Sequence, residues 1–160
     1  MATQFKPPQT PVYRPDIPVL FLAGSIEMGR AQPWQKQVEV VLAEEEVILL
    51  NPRRDDWDSS WVQSIHNPQF RQQVEWELDG LARADLILAY FAAGTQAPIT
   101  LLELGLHAGS GKMIVACPPT YWRRGNVEIV CERYGIPLHH DLESALLAIR
   151  ERLKAPAGQV

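Results

Sequence analysis

The residue of this chain best placed for covalent chemistry is a glutamate in a strand–loop–helix unit. Residues 84–119 read ADLILAYFAAGTQAPITLLELGLHAGSGKMIVACPP, and near the start of the helix sits Glu103, with Gly105 two positions on. A carboxylate beside a βα loop can act as a nucleophile and split one displacement into two. It can equally be a first-turn acid favoured by the helix dipole. Attack on an anomeric carbon would give a glycosyl-enzyme intermediate, with a second group to assist departure of the leaving base.

Other reactive groups fall in loops that follow apolar runs. GSIEMGR supplies Gly24, Ser25, Gly29 and Arg30, which suit a phosphate or carboxylate at a helix N-terminus; a plain connecting loop is the alternative. The segment lacks the endings of a Walker loop and of GxGxxG. NPRRDDW begins at Asn51 and presents Arg53 or Arg54 and Asp55 or Asp56, either to a polar ligand or to one another. Gln73, Trp76 and Glu77 lie together on one side of a predicted helix, as pocket lining or as packing. The histidines at 66, 107, 139 and 140 show no metal-ligand spacing, and no G-x-S-x-G elbow occurs. The expected chemistry needs neither a metal nor an organic cofactor.

The elements that must position these groups follow from periodicity. Val19–Ala23, Val47–Leu50, Asp85–Tyr90, Met113–Cys117 and Ile136–Leu138 are short apolar runs of the kind buried on both faces of a parallel sheet. Between them the spacing predicts helices over about 32–43, 67–82, 98–108 and 126–134, with a last one over 141–153. Asn67 with Pro68, and Asp141 with Ser144, supply start signals; Gly109-Ser110-Gly111 supplies a stop. Alternation of this kind predicts a three-layer α/β sandwich with a five-stranded parallel sheet of flavodoxin-like order 2-1-3-4-5. Ligands of such folds sit beyond the carboxyl ends of the strands, where the polar loops gather. Residues 1–17, rich in proline, read as an extended arm, 18–154 as one domain and 155–160 as a frayed tail.

Composition limits the alternatives. The chain has 160 residues, 15 Lys and Arg against 19 Asp and Glu, and a net charge of −4. Mild acidity argues against binding of a nucleic acid polymer, which needs clustered cations. Cys117 and Cys131 form no CxxC pair and read as buried free thiols of a reducing compartment. With no apolar run of membrane-spanning length and no apolar leader, a cytoplasmic location without membrane attachment is expected.

Taken together, LAGSIEMGRAQPWQ, LNPRRDDW, QVEWELDGLARADLIL and PITLLELGLHAGSGK resemble the nucleoside 2-deoxyribosyltransferase-like proteins, over roughly Val19 to Leu147. The NPRRDDW and QxxWE blocks are similar to one branch of that family. GSI-x-x-GR is also similar to the phosphate-binding loop of deoxynucleoside 5′-monophosphate N-glycosidases. The resemblance implies cleavage or transfer at the N-glycosidic bond of a nucleoside, deoxynucleoside or nucleoside monophosphate. It places the nucleophile at Glu103 and a sugar-positioning or acid/base residue at Asp79. It implies a substrate pocket drawn from Gly24, Ser25, Gly29, Arg30, Asn51, Arg54, Asp56, Trp76 and Glu77, and a homodimer or larger homo-oligomer. One departure stands out. Where relatives carry DSGT, whose Asp helps protonate the leaving base, this chain has Ala97-Pro98-Ile99-Thr100. Glu77, Asp79 or Asp56 then substitutes, or the ligand differs, or the protein is a nucleotide-binding or sensing module without turnover. A ligand-free oligomerisation domain is the plainest reading of all.

Overall fold

The computed structural model describes residues 1–26 and 33–154, so Gly29 and Arg30 lie outside the described residues, as does the segment 155–160. The strands are β1 (Thr3–Phe5), β2 (Val19–Gly24), β3 (Ile48–Leu50), β4 (Leu86–Tyr90), β5 (Met113–Ala116) and β6 (Leu138–His139). The helices are α1 (Trp34–Val41), α2 (Pro68–Arg83), α3 (Pro98–His107), α4 (Arg124–Tyr134) and α5 (Leu142–Lys154). Every ladder is parallel, in the order β1-β3-β2-β4-β5-β6. Without β1 this is the predicted 2-1-3-4-5 order.

The sixth strand corrects the five-stranded expectation. Thr3–Phe5 is polar and precedes Pro7-Pro8, so nothing local marks it as a strand. It forms because the free edge of β3 offers parallel partners, Thr3 opposite Ile48 and Phe5 opposite Leu50. The last strand lies at Leu138–His139 instead of 136–138, and α4 begins at Arg124 instead of 126.

Alternation along the strands separates two apolar layers. Leu20, Leu22, Leu49, Leu88 and Ile114 face Val38 of α1 and Leu146 and Ile149 of α5. Phe21, Leu50, Ile87, Ala89 and Val115 face Leu81 of α2, Leu104 of α3 and Val127 of α4. Each run is apolar at both parities because both faces are covered.

Local signals set the helix ends. The Asn67 side chain accepts a hydrogen bond from Phe70 N at 2.9 Å, with Pro68 in the first turn. Asp141 Oδ1 accepts one from Ser144 N at 2.7 Å. Helix α3 ends in a 3₁₀ turn, Ala108–Ser110, stopped by Gly111 at φ 73°. The crossing of β2 and β4 depends on Gly24, where a Cβ would stand 2.5 Å from the Trp34 ring and 2.8 Å from Tyr90 O. Trp34 fills that space and donates from Nε1 to Ser25 O at 3.0 Å.

Candidate active site

Beyond the carboxyl ends of the central strands lies a cleft of about 460 Å³. Its floor is Gly24 and Ser25 after β2, one wall is Pro52 to Arg54 after β3, and α2 and α3 close the other sides. The three loops expected to converge do so because they all leave the same end of a parallel sheet.

Glu103 is the central group. It stands in the second turn of α3, whose first turn holds no acid, and only 7% of it is exposed. The first-turn, dipole-favoured reading therefore fails: the side chain is buried and faces the cleft. Burial pushes its carboxyl up to about 8, and the Glu77 carboxylate adds to the shift. Among the described residues, none donates a hydrogen bond to it or forms an ion pair with it.

Glu77 faces the same cleft from α2. Burial raises it to about 7, against a Gln73 Nε2 hydrogen bond at 2.7 Å that favours the ionised form. Gln73 Nε2 also donates to Pro52 O at 2.9 Å. Because Pro52 O can only accept, this fixes which end of the amide points there, and Gln73 Oε1 is left buried without a partner. Trp57 Nε1, on a residue of the cleft wall, is likewise buried and unpartnered. Neither Gln73 nor Trp57 was singled out as a polar group left open, since satisfaction is a tertiary property.

Of the expected site residues, the structure brings Gly24, Ser25, Arg54, Glu77 and Glu103 to the cleft. Ser25 has its hydroxyl committed. Its Oγ accepts from Ala92 N at 3.0 Å and pairs with Thr95 Oγ1 at 2.7 Å, tying β2 to the loop after β4. Arg54 is nearly enclosed, held by Asp56 at 2.7 Å and stacked 4.8 Å from the Trp61 ring centre.

Four expected residues do not line the cleft. Asp79 is exposed and its charge acts on Tyr13 of the N-terminal arm. Two residues beyond Glu77, it points about 200° around the helix from it. Trp76 packs on Phe21 and donates from Nε1 to Gln9 O at 2.8 Å, on the arm side of α2. Asn51 is buried, bonding Gln4 Oε1 at 2.9 Å and Arg53 N at 3.0 Å, so it braces the loop. Asp56 is exposed and answers Arg54, which holds its carboxyl below the ordinary range.

Among the described residues, no group of three or more His, Cys, Asp or Glu side chains is arranged to hold a metal ion, and no helix is long and apolar enough to cross a membrane. Cys117 and Cys131 are free and buried.

A parallel α/β sandwich whose rim cleft presents one buried and one half-buried carboxylate has the form of a small-molecule site. Residues 17–121 match the family described as nucleoside 2-deoxyribosyltransferase like, and the chain belongs to that family. The matched stretch ends at Tyr121, short of Leu147, yet holds all the residues of the cleft named above. At the family level this places the chain with nucleoside deoxyribosyl transfer on small substrates. No curated protein matches the chain.

Proposed function

We propose that this protein cleaves or exchanges the N-glycosidic bond of a nucleoside, deoxynucleoside or nucleoside monophosphate. Glu103 is the nucleophile, and Glu77 takes the acid/base role expected of Asp79. The observation that carries the reading is the burial of Glu103 in the cleft beside a second carboxylate, with no cation on either among the described residues.

With the two groups at about 8 and about 7, the pair holds on average one proton between those pH values. One proton on two carboxylates supplies one acid and one nucleophile. As positive charge grows at C1′, the ionised form of Glu103 is favoured and the proton resides on Glu77. Glu103 then bonds to C1′ while the C1′–N bond breaks and Glu77 protonates the departing base. In the second step Glu77 takes the proton of the incoming water or acceptor base, and the Glu103–C1′ bond breaks.

The test is incubation with a panel of nucleosides and monophosphates, followed by chromatography for free base. Release by the wild type and its loss in Glu103→Gln support the nucleophile. Equal release by the variant, or none by the wild type, refutes it. One observation favours a binding module without turnover: Ala97 caps α3 in a left-handed conformation (φ 47°, ψ 52°) with no side-chain bond, where the resemblance implies an acid. Thermal stabilisation by a nucleotide without base release under any condition would establish that reading.

A further inference from the structure

The charge balance of the cleft bears on which base it accepts. Glu103 is more than nine-tenths buried, and the described residues place no cation on it or on Glu77. The cations on the opposite wall are Arg53 and Arg54, and Arg54 is answered by Asp56 at 2.7 Å. A buried and a half-buried acid side by side, with no counter-charge among the described residues, are destabilised unless a proton or a cation compensates them. Ala97, which caps α3 at the cleft, also supplies no acid that could protonate a neutral leaving base.

A cationic ligand answers both facts without drawing on the proton of the pair. We propose that the cleft takes N-glycosides whose base carries a fixed positive charge, such as pyridinium or N-alkylated purine glycosides, with the Glu77–Glu103 pair as the counter-charge. This rests on the N-glycoside reading above and names its substrate class.

The chemistry balances without an added acid. A Glu103 oxygen forms a bond to C1′, the C1′–N bond breaks, and its electron pair moves onto the ring nitrogen. The base leaves neutral, so no proton is required of position 97. Water then attacks C1′, Glu77 accepts its proton, and Glu103 is released as carboxylate. The cationic ligand itself favours ionisation of both carboxylates, so binding releases the pair's proton to solvent, generates the nucleophile at Glu103 and leaves Glu77 ionised to accept the proton of water.

The proposal is tested by binding before turnover. Dissociation constants are measured for two uncleavable mimics of one shape: a carbocyclic pyridinium nucleoside and its neutral benzene counterpart. Wild type is expected to prefer the cation by about tenfold or more, as one partly screened charge contact allows. In Glu77→Gln and in Glu103→Gln the preference falls to about threefold or less, with circular dichroism confirming that each variant is folded. Equal or weaker binding of the cation by wild type overturns the proposal, as does a preference that survives both substitutions.

Base release from a ribosyl pyridinium and from neutral nucleosides, each corrected for spontaneous hydrolysis, separates the two readings. Release from neutral nucleosides alone, without cation preference, sinks the charge inference and leaves the glycosidic function standing. Cation preference without release from any substrate upholds the charge inference for binding and removes the catalytic reading.

Discussion

Two neighbouring sets of side chains on helix α2 meet opposite fates, one packed and one open. In the packed set, Trp76 has its indole N–H bonded to Gln9 O, and Gly80 lies so close to Phe21 that an added Cβ would stand 2.9 Å from its ring. In the open set, Gln73 and Glu77 border the cleft, with Gln73 Oε1 buried and unbonded and Glu77 raised toward neutrality. One set is satisfied by the chain itself; the other is left for something the described residues do not supply. Both run along the same helix, so neither amphipathicity nor composition separates them. What separates them is whether the polar groups have partners.

The sharpest way to break this contrast is at the nucleophile. Glu103→Gln is expected to fold and to lose activity by about three orders of magnitude, about 4 kcal/mol in the barrier, measured as base release per turnover. On the packed face, Gly80→Val should cost about 2–3 kcal/mol of stability, read from denaturant midpoints, because Phe21 is fully buried and cannot yield.

The open face makes stability depend on pH. Glu103 is raised from 4.5 to about 8 on folding, so the folded state binds more protons over that interval. Its stabilising contribution is complete below about pH 4.5 and is lost as pH rises through about 8. Thermal melts should therefore show stability falling from pH 5 to pH 8, by on the order of 2 kcal/mol, with a flatter profile in Glu103→Gln. A profile unchanged by that substitution would mean the carboxylate is not protonated on folding.

Smaller effects mark the satisfied side. Trp76→Phe loses one hydrogen bond, about 1 kcal/mol of stability, with turnover within about twofold of wild type. Asp79→Asn should change stability by less than about 0.5 kcal/mol and leave base release intact. A large loss of turnover in Asp79→Asn would restore it to the site at the expense of Glu77.

These assignments trace what could be read before the fold was known. The central strands were legible because each is a continuous apolar run, and that pattern has one economical burial, inside a parallel sheet. Glu103 was legible through its placement in the β4–α3 unit, though its depth was not: a second-turn residue and a first-turn residue differ by three positions and by opposite solvation. Asp79 was misplaced because block similarity fixes spacing along the chain, whereas two residues along a helix reverse the direction a side chain points. Ser25 was assigned to a ligand, yet its hydroxyl serves Thr95 and Ala92, partners about seventy positions away. Long-range satisfaction of that kind has no local signature. β1 escaped for the same reason, since its pairing is dictated by the edge it joins.

The sheet's two edge strands are short, three residues in β1 and two in β6. Beyond Phe5 come Lys6 and the two prolines Pro7-Pro8, which have no N–H to donate to a neighbouring backbone. Short edges of this kind are poor templates for the addition of a foreign strand, so self-association of this chain is expected to use side-chain surfaces instead. The exposed row Ile99, Leu102 and Leu106 along α3, at the lip of the cleft, is where such a contact would alter access to Glu103.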